Sequence, residues 1–124
     1  MVKVITYGTF DTFHYGHFEI LIKAKKFGDY LIVGLSTDEF NQEKGKKSRF
    51  NYEKRKMWLS NLKCIDEIIP ETSWQQKISD IETKKIDIFV MGDDWEGKFD
   101  YLNCEVIYLP RTKSISSTEI KKIV

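Results

Sequence analysis

The chain has 124 residues, of which 31% are charged and 41% hydrophobic, and a formal net charge of +1. That length suits a single domain, residues 1–124, burying roughly two-thirds of its unfolded surface. The near-zero charge argues against nucleic acid or a membrane surface as a partner, and no apolar run nears the ~20 residues of a membrane span. Met1 to Ile5 reads as the start of a strand, not a leader. Cys64 and Cys104 are isolated thiols without disulfide or metal spacing, so a cytoplasmic protein is expected.

The apolar run Val2 to Tyr7 predicts the first strand. Gly8-Thr9-Phe10-Asp11-Thr12-Phe13-His14-Tyr15-Gly16-His17 follows, leading into a helix over 18–27 with Phe18, Leu21, Ile22 and Ala24 near one face. Gly28-Asp29 closes that helix as a C-cap and turn would. Tyr30 to Leu35 is a continuous apolar run, as in a parallel strand covered on both faces. Residues 36–50 are polar and aperiodic, which predicts a long loop with room for one helical turn.

Asn51 reads as the N-cap of a helix over 52–62. Asp66 to Ile69 predicts a third strand closed by Pro70, and Ser73 a cap for a helix over 74–84. Ile86 to Met91 and Cys104 to Leu109 predict the last two strands, and a final helix runs to Val124. Strands alternating with helices predict an α/β fold, a parallel five-stranded sheet of order 3-2-1-4-5 with helices on both faces. In that order strands one and four are neighbours. The loops after Tyr7 and after Met91 then form the two lips of one cleft.

The chemistry concentrates at those loops. Gly8 permits close approach of a ligand, and Thr9 and Phe10 offer backbone N–H donors to phosphate oxygens. His14 and His17, the only histidines, stand three apart where a helix begins, a setting that favours anions. Protonated imidazoles there could offset charge that develops in a transition state. Capping and packing of a tight turn is the plainer alternative. Asp11, His14 and His17 also spell D-x-x-H-x-x-H, which a zinc or iron site could use. Lys44, Lys46, Lys47, Arg49, Lys54, Arg55 and Lys56 form a basic segment in a nearly neutral chain, with Lys44 and Lys46 the stronger candidates for balancing a polyanion. Arg111 to Thr118 adds a guanidinium and a run of hydroxyls between a strand end and a helix start. No serine or cysteine stands at readable spacing from a histidine as an activated nucleophile.

G-T-F-D-x-x-H-x-G-H after the first strand and R-T-x-x-I-S-S-T before the last helix resemble the cytidylyltransferase family, within the nucleotidyltransferases that carry an H-x-G-H motif on a Rossmann-like fold. Ser36 to Phe40, Met91 to Asp100 and Tyr108 to Thr112 extend the resemblance through nearly the whole chain. It implies conversion of CTP and sn-glycerol 3-phosphate to CDP-glycerol and pyrophosphate, with Mg²⁺, in a homodimer that supplies teichoic-acid synthesis. The implied catalytic pair is His14 and His17. The implied CTP site comprises Gly8, Thr9, Phe10, Asp11, Tyr15, Gly16, Lys46, Arg55, Gly92, Asp94, Arg111, Thr112, Ile115, Ser116, Ser117 and Thr118. Lys44 and Lys77 are implied to bind glycerol 3-phosphate, and Mg²⁺ to be held mainly by CTP. Two residues depart from the family pattern: Lys63 stands for a usual arginine and lacks its fork, and Ser114 for a usual glycine.

Overall fold

The computed structural model describes residues 1–11 and 15–110, the side chains of 15–17 excepted. Five apolar runs form the strands β1 (Lys3–Gly8), β2 (Tyr30–Ser36), β3 (Glu67–Glu71), β4 (Ile88–Gly92) and β5 (Glu105–Leu109). They make one five-stranded sheet of order β3-β2-β1-β4-β5, and every neighbouring pair is parallel. The expected order is therefore the observed one. β1 and β2 stay in register from Lys3–Tyr30 to Gly8–Leu35. β1 and β4 pair at Val4–Ile88 and Ile5–Phe89, and that register carried forward sets Gly8 level with Gly92.

Alternating side chains divide the core between the two sheet faces. Val4, Leu31, Val33 and Val90 join Leu21 and Ala24 of α1 (Tyr15–Lys26) and Leu59 of α3 (Tyr52–Ser60). Ile5, Tyr7, Ile32, Phe89 and Met91 join Ile81 of α4 (Gln76–Thr83) and the loop residues Phe99 and Leu102. Helices thus cover both faces, and the strand ends are left to build a site.

Three expectations need correction. The third strand runs through Pro70 to Glu71, with Pro70 level with Leu35. β3 is an edge strand, where the missing N–H of proline costs no ladder bond. The helix expected over 74–84 starts at Gln76 instead of Trp74, although Ser73 Oγ does accept from the Gln76 N–H at 3.1 Å. The polar stretch after β2 holds a true short helix, α2 (Asp38–Glu43), capped by Thr37 Oγ1 and anchored by buried Phe40 and Asn41. Asn51 is the expected cap of α3, its Oδ1 accepting from Lys54 N–H at 2.9 Å, a contact of the kind worth about 1 kcal/mol. The final helix lies outside the described residues. Among the described residues no helix is long and apolar enough to cross a membrane.

Candidate active site

The carboxyl ends of β3, β2, β1 and β4 present Glu71, Ser36, Gly8–Thr9 and Gly92 side by side along one edge. The chain leaving β1 is bent sharply: Phe10 has φ of 48° and is buried, and its ring folds back so that a Cβ on Gly8 would lie 2.8 Å from it. Glycine is required at position 8 for that approach. Asp11 comes next and fastens the basic segment. Its carboxylate accepts from the backbone N–H of Arg49 at 2.5 Å and of Phe50 at 2.9 Å.

Arg55 lies beneath this junction with no exposed surface. Nε donates to the Phe50 carbonyl at 2.9 Å, Nη1 to the carbonyls of Thr9 at 2.9 Å and Ser36 at 2.7 Å, and Nη2 to Asp38 Oδ1 at 2.9 Å. Those bonds use four of the five guanidinium N–H groups. In this structure Arg55, expected at the CTP site, ties the ends of β1 and β2 to the loop and to α2 from below, with one N–H left over.

Two further cations reach the edge from the helices. Lys44, at the C-terminal end of α2, donates from Nζ to Ser36 Oγ at 2.8 Å and comes within 3.5 Å of Thr9 Oγ1. Thr9 Oγ1 in turn donates to Asn41 Oδ1 at 2.9 Å. Lys77, in the first turn of α4 and 1% exposed, donates to Glu71 Oε2 at 2.5 Å. Its ammonium is boxed by the rings of Tyr7, Trp74 and Phe99, 4.6, 4.9 and 5.7 Å from their centroids, and Phe40 faces Lys44 at 4.8 Å. Aromatic faces attract such cations without accepting their ordinary hydrogen bonds. Burial lowers the Lys44 pKa to about 8; Glu71 opposes the shift, and Lys46, Lys77 and Arg55 add to it.

The Tyr7 ring joins the lysine cluster to the sheet. Its hydroxyl donates to Asp80 Oδ2 at 2.7 Å, and burial, followed by that carboxylate, pushes its pKa up. Tyr7 lies level with Gly34 on β2, where a Cβ would fall 2.2 Å from the ring. Two ammonium groups sharing the single carboxylate of Glu71 leave one positive charge in excess. Such a cluster suits an anion with several acceptor oxygens.

Of the expected residues, Gly8, Thr9, Phe10, Asp11, Lys44 and Lys77 gather on the β1–β2–β3 side of the edge. Lys46 is exposed nearby, lining with Lys47, Arg49 and Asp38 a recess of about 390 Å³. Gly92 and Asp94 stand on the β4 lip, where a Cβ at Gly92 would lie 3.2 Å from Asp94 Oδ1. α1 begins at Tyr15, so Gly16 and His17 belong to its first turn. His14 and the side chains of Tyr15 and His17 lie outside the described residues, as do Arg111, Thr112, Ser114, Ile115, Ser116, Ser117 and Thr118. Sequence reasoning gave no role to Ser36, Asn41 or Glu71. Ser36 opens a stretch that resembles the family, whereas Asn41 and Glu71 belong to no motif. Burial, at 2% exposure or less, is what marks all three.

The sequence model of a family described as cytidylyltransferase-like matches residues 5–123. The chain belongs to that family. It is 64% identical over 124 residues to a glycerol-3-phosphate cytidylyltransferase of Bacillus spizizenii, covering 98% of this chain and 96% of that protein. It is 59% identical to the Staphylococcus aureus protein of the same name, over 98% and 94% of the two chains. Among solved structures, a lipopolysaccharide core biosynthesis protein from Thermoplasma volcanium matches with a TM-score of 0.73 and 27% identity, covering 93% of this chain and 99% of that one. In this chain the lysine cluster lies on the β3 side of the β1–β4 crevice, and that crevice is the position expected for ligands in an open α/β sheet.

Proposed function

We propose that this chain transfers the cytidylyl group of CTP to sn-glycerol 3-phosphate, giving CDP-glycerol and pyrophosphate. The observation that carries the reading is 64% and 59% identity, over nearly the full length, to proteins named for that transfer. The buried Lys44–Glu71–Lys77 cluster supports it from geometry, as a group of cations suited to a phosphate monoester.

The acceptor's phosphate oxygen attacks the α-phosphorus of CTP. A new P–O bond forms as the bond to the bridging oxygen of the departing pyrophosphate breaks on the opposite side. A phosphate dianion needs no general base near neutral pH, so the protein's work is positioning and charge neutralisation. In this reading Lys44 and Lys77 hold the acceptor phosphate, and Thr9, Phe10 and Lys46 face the CTP phosphates. Arg111, Thr112, Ile115, Ser116, Ser117 and Thr118 are assigned to the triphosphate, and Gly92 and Asp94 to the cytosine. His14 and His17 stabilise charge at the α-phosphate.

Mg²⁺ prefers phosphate and water oxygens. Asp11, the carboxylate of the turn after β1, already accepts two backbone N–H bonds. The ion would therefore be carried by the CTP phosphates, neutralising part of their charge. We further propose a homodimer working in the cytoplasm and supplying glycerol-phosphate polymers of the teichoic-acid type.

A pyrophosphate-release screen of nucleoside triphosphates against glycerol 3-phosphate, ethanolamine phosphate and choline phosphate tests the reading. Turnover confined to CTP with glycerol 3-phosphate is expected; faster turnover with either amine-bearing phosphate would overturn it. His14→Ala and His17→Ala should each lower turnover by on the order of 10²–10³, the cost of a lost transition-state donor.

A further inference from the structure

The two lysines assigned to the acceptor come from separate short elements, Lys44 from the end of α2 and Lys77 from the start of α4. An ammonium group on a four-carbon stem does not orient itself. What the two share is Glu71, the last residue of β3, which is 2% exposed. Its Oε2 accepts from Lys77 at 2.5 Å. Its Oε1 accepts from Ser36 Oγ at 2.5 Å, and Ser36 Oγ accepts from Lys44 at 2.8 Å. Oε1 also lies 3.8 Å from Lys44 Nζ.

We propose that Glu71 is a positioning residue for the acceptor phosphate: one carboxylate, divided between Lys44 and Lys77, aims both ammonium groups without touching substrate itself. The identity of the acceptor rests on the proposed function; the role of Glu71 toward the lysines does not.

Simple electrostatics favours the opposite sign. A buried negative charge close to a phosphate site repels the ligand, so its removal alone should tighten binding. Positioning predicts weaker binding instead, because both lysines lose their orientation and Lys44 loses the one neighbour that favours its charged form. An ammonium group has three N–H donors. Glu71 takes one from Lys77 and Ser36 takes one from Lys44, leaving donors for a ligand. Lys44 is faced by Glu71 from β3, Lys77 from α4, Arg55 from α3 and Lys46 from the loop after α2; Glu71 opposes the deprotonation that the three cations favour.

The test uses the full chain as wild type, Glu71→Gln and Glu71→Asp. Initial rates with CTP and glycerol 3-phosphate should show the KM for glycerol 3-phosphate rising about tenfold or more in Glu71→Gln, the loss of one charge-assisted contact, with the KM for CTP within about twofold. The basic limb of kcat/KM for glycerol 3-phosphate should move to lower pH in Glu71→Gln and return in Glu71→Asp, which restores the charge. In the ligand-free proteins, ¹H–¹⁵N spectra of the lysine Nζ groups should show Lys44 titrating at lower pH in Glu71→Gln. An unmoved Lys44 titration, or an unchanged or lower KM for glycerol 3-phosphate, overturns the proposal. If wild type makes no CDP-glycerol, the acceptor assignment fails, while the Lys44 titration still decides the role of Glu71.

Discussion

β3 carries a glutamate at each end, and each bonds one lysine and one hydroxyl. Glu67, at the amino end, accepts from Lys84 at 2.8 Å and from Tyr30 at 3.0 Å. Glu71, at the carboxyl end, accepts from Lys77 at 2.5 Å and from Ser36 at 2.5 Å. The chemistry is matched, but the surroundings are not. Both Glu67 and Lys84 have side chains 32% exposed, whereas Glu71 and Lys77 are at 3% and 1%. Water screens the first pair, which therefore contributes little. The second pair has given up its hydration, and such pairs often fail to recover that cost in stability. A buried, costly cluster at the carboxyl edge of the sheet is what the proposed acceptor site calls for.

Arg55 should show the largest effect at the carboxyl end. Arg55→Ala strands the Thr9, Ser36 and Phe50 carbonyls and leaves a cavity, so a loss of about 3–5 kcal/mol is expected in urea unfolding. Arg55→Lys should rescue only part of this, lacking the fork. A loss below about 1 kcal/mol, the size of a surface pair, would remove the distinction between the two ends of the sheet.

Lys44→Met should separate binding from stability. The KM for glycerol 3-phosphate is expected to rise about 10–100-fold, the size of a charged hydrogen bond. Stability should hold or increase, because a desolvated ammonium is replaced by an apolar chain of similar length. Equal losses in both would show Lys44 to be a structural support.

Titration sharpens the same point. The folded pKa of Lys44, about 8, is below its ordinary 10.5. Between those values the unfolded chain retains a proton that the folded chain has released, so Lys44 favours folding as pH rises and that contribution is lost as pH falls through about 8. Affinity for glycerol 3-phosphate should run the other way, full below about pH 8 and declining above it, as kcat/KM profiles of wild type and Lys44→Met would show. The smallest change is expected at the amino end: Lys84→Ala should cost no more than about 1 kcal/mol and leave both KM values in place.

The strand order and the location of the crevice were legible because alternating strands and helices permit few arrangements. Asn51 was legible because a cap has a local signature. α2 was not: with six residues and one buried aromatic, Phe40, it is too short to show a period. Pro70 misled because its tolerance depends on β3 being at the sheet edge, a property of the assembled sheet. Asp11 and Arg55 were picked out by motif and charge, but their roles were not. The backbone partners of Asp11 lie 38 and 39 positions away, and one of those of Arg55 lies 46 away, which no residue pattern encodes. Glu71 was hidden for the converse reason. Nothing in the sequence separates it from Glu67, its counterpart at the other end of the same strand.

Gly34 has an unexpected reach into the lysine cluster. It bears no functional group, yet the space a methyl would occupy there is filled by the Tyr7 ring, and that ring supports the Lys77 ammonium. Bulk at position 34 would displace that ring, and with it one wall around the Lys77 ammonium and the Tyr7–Asp80 bond.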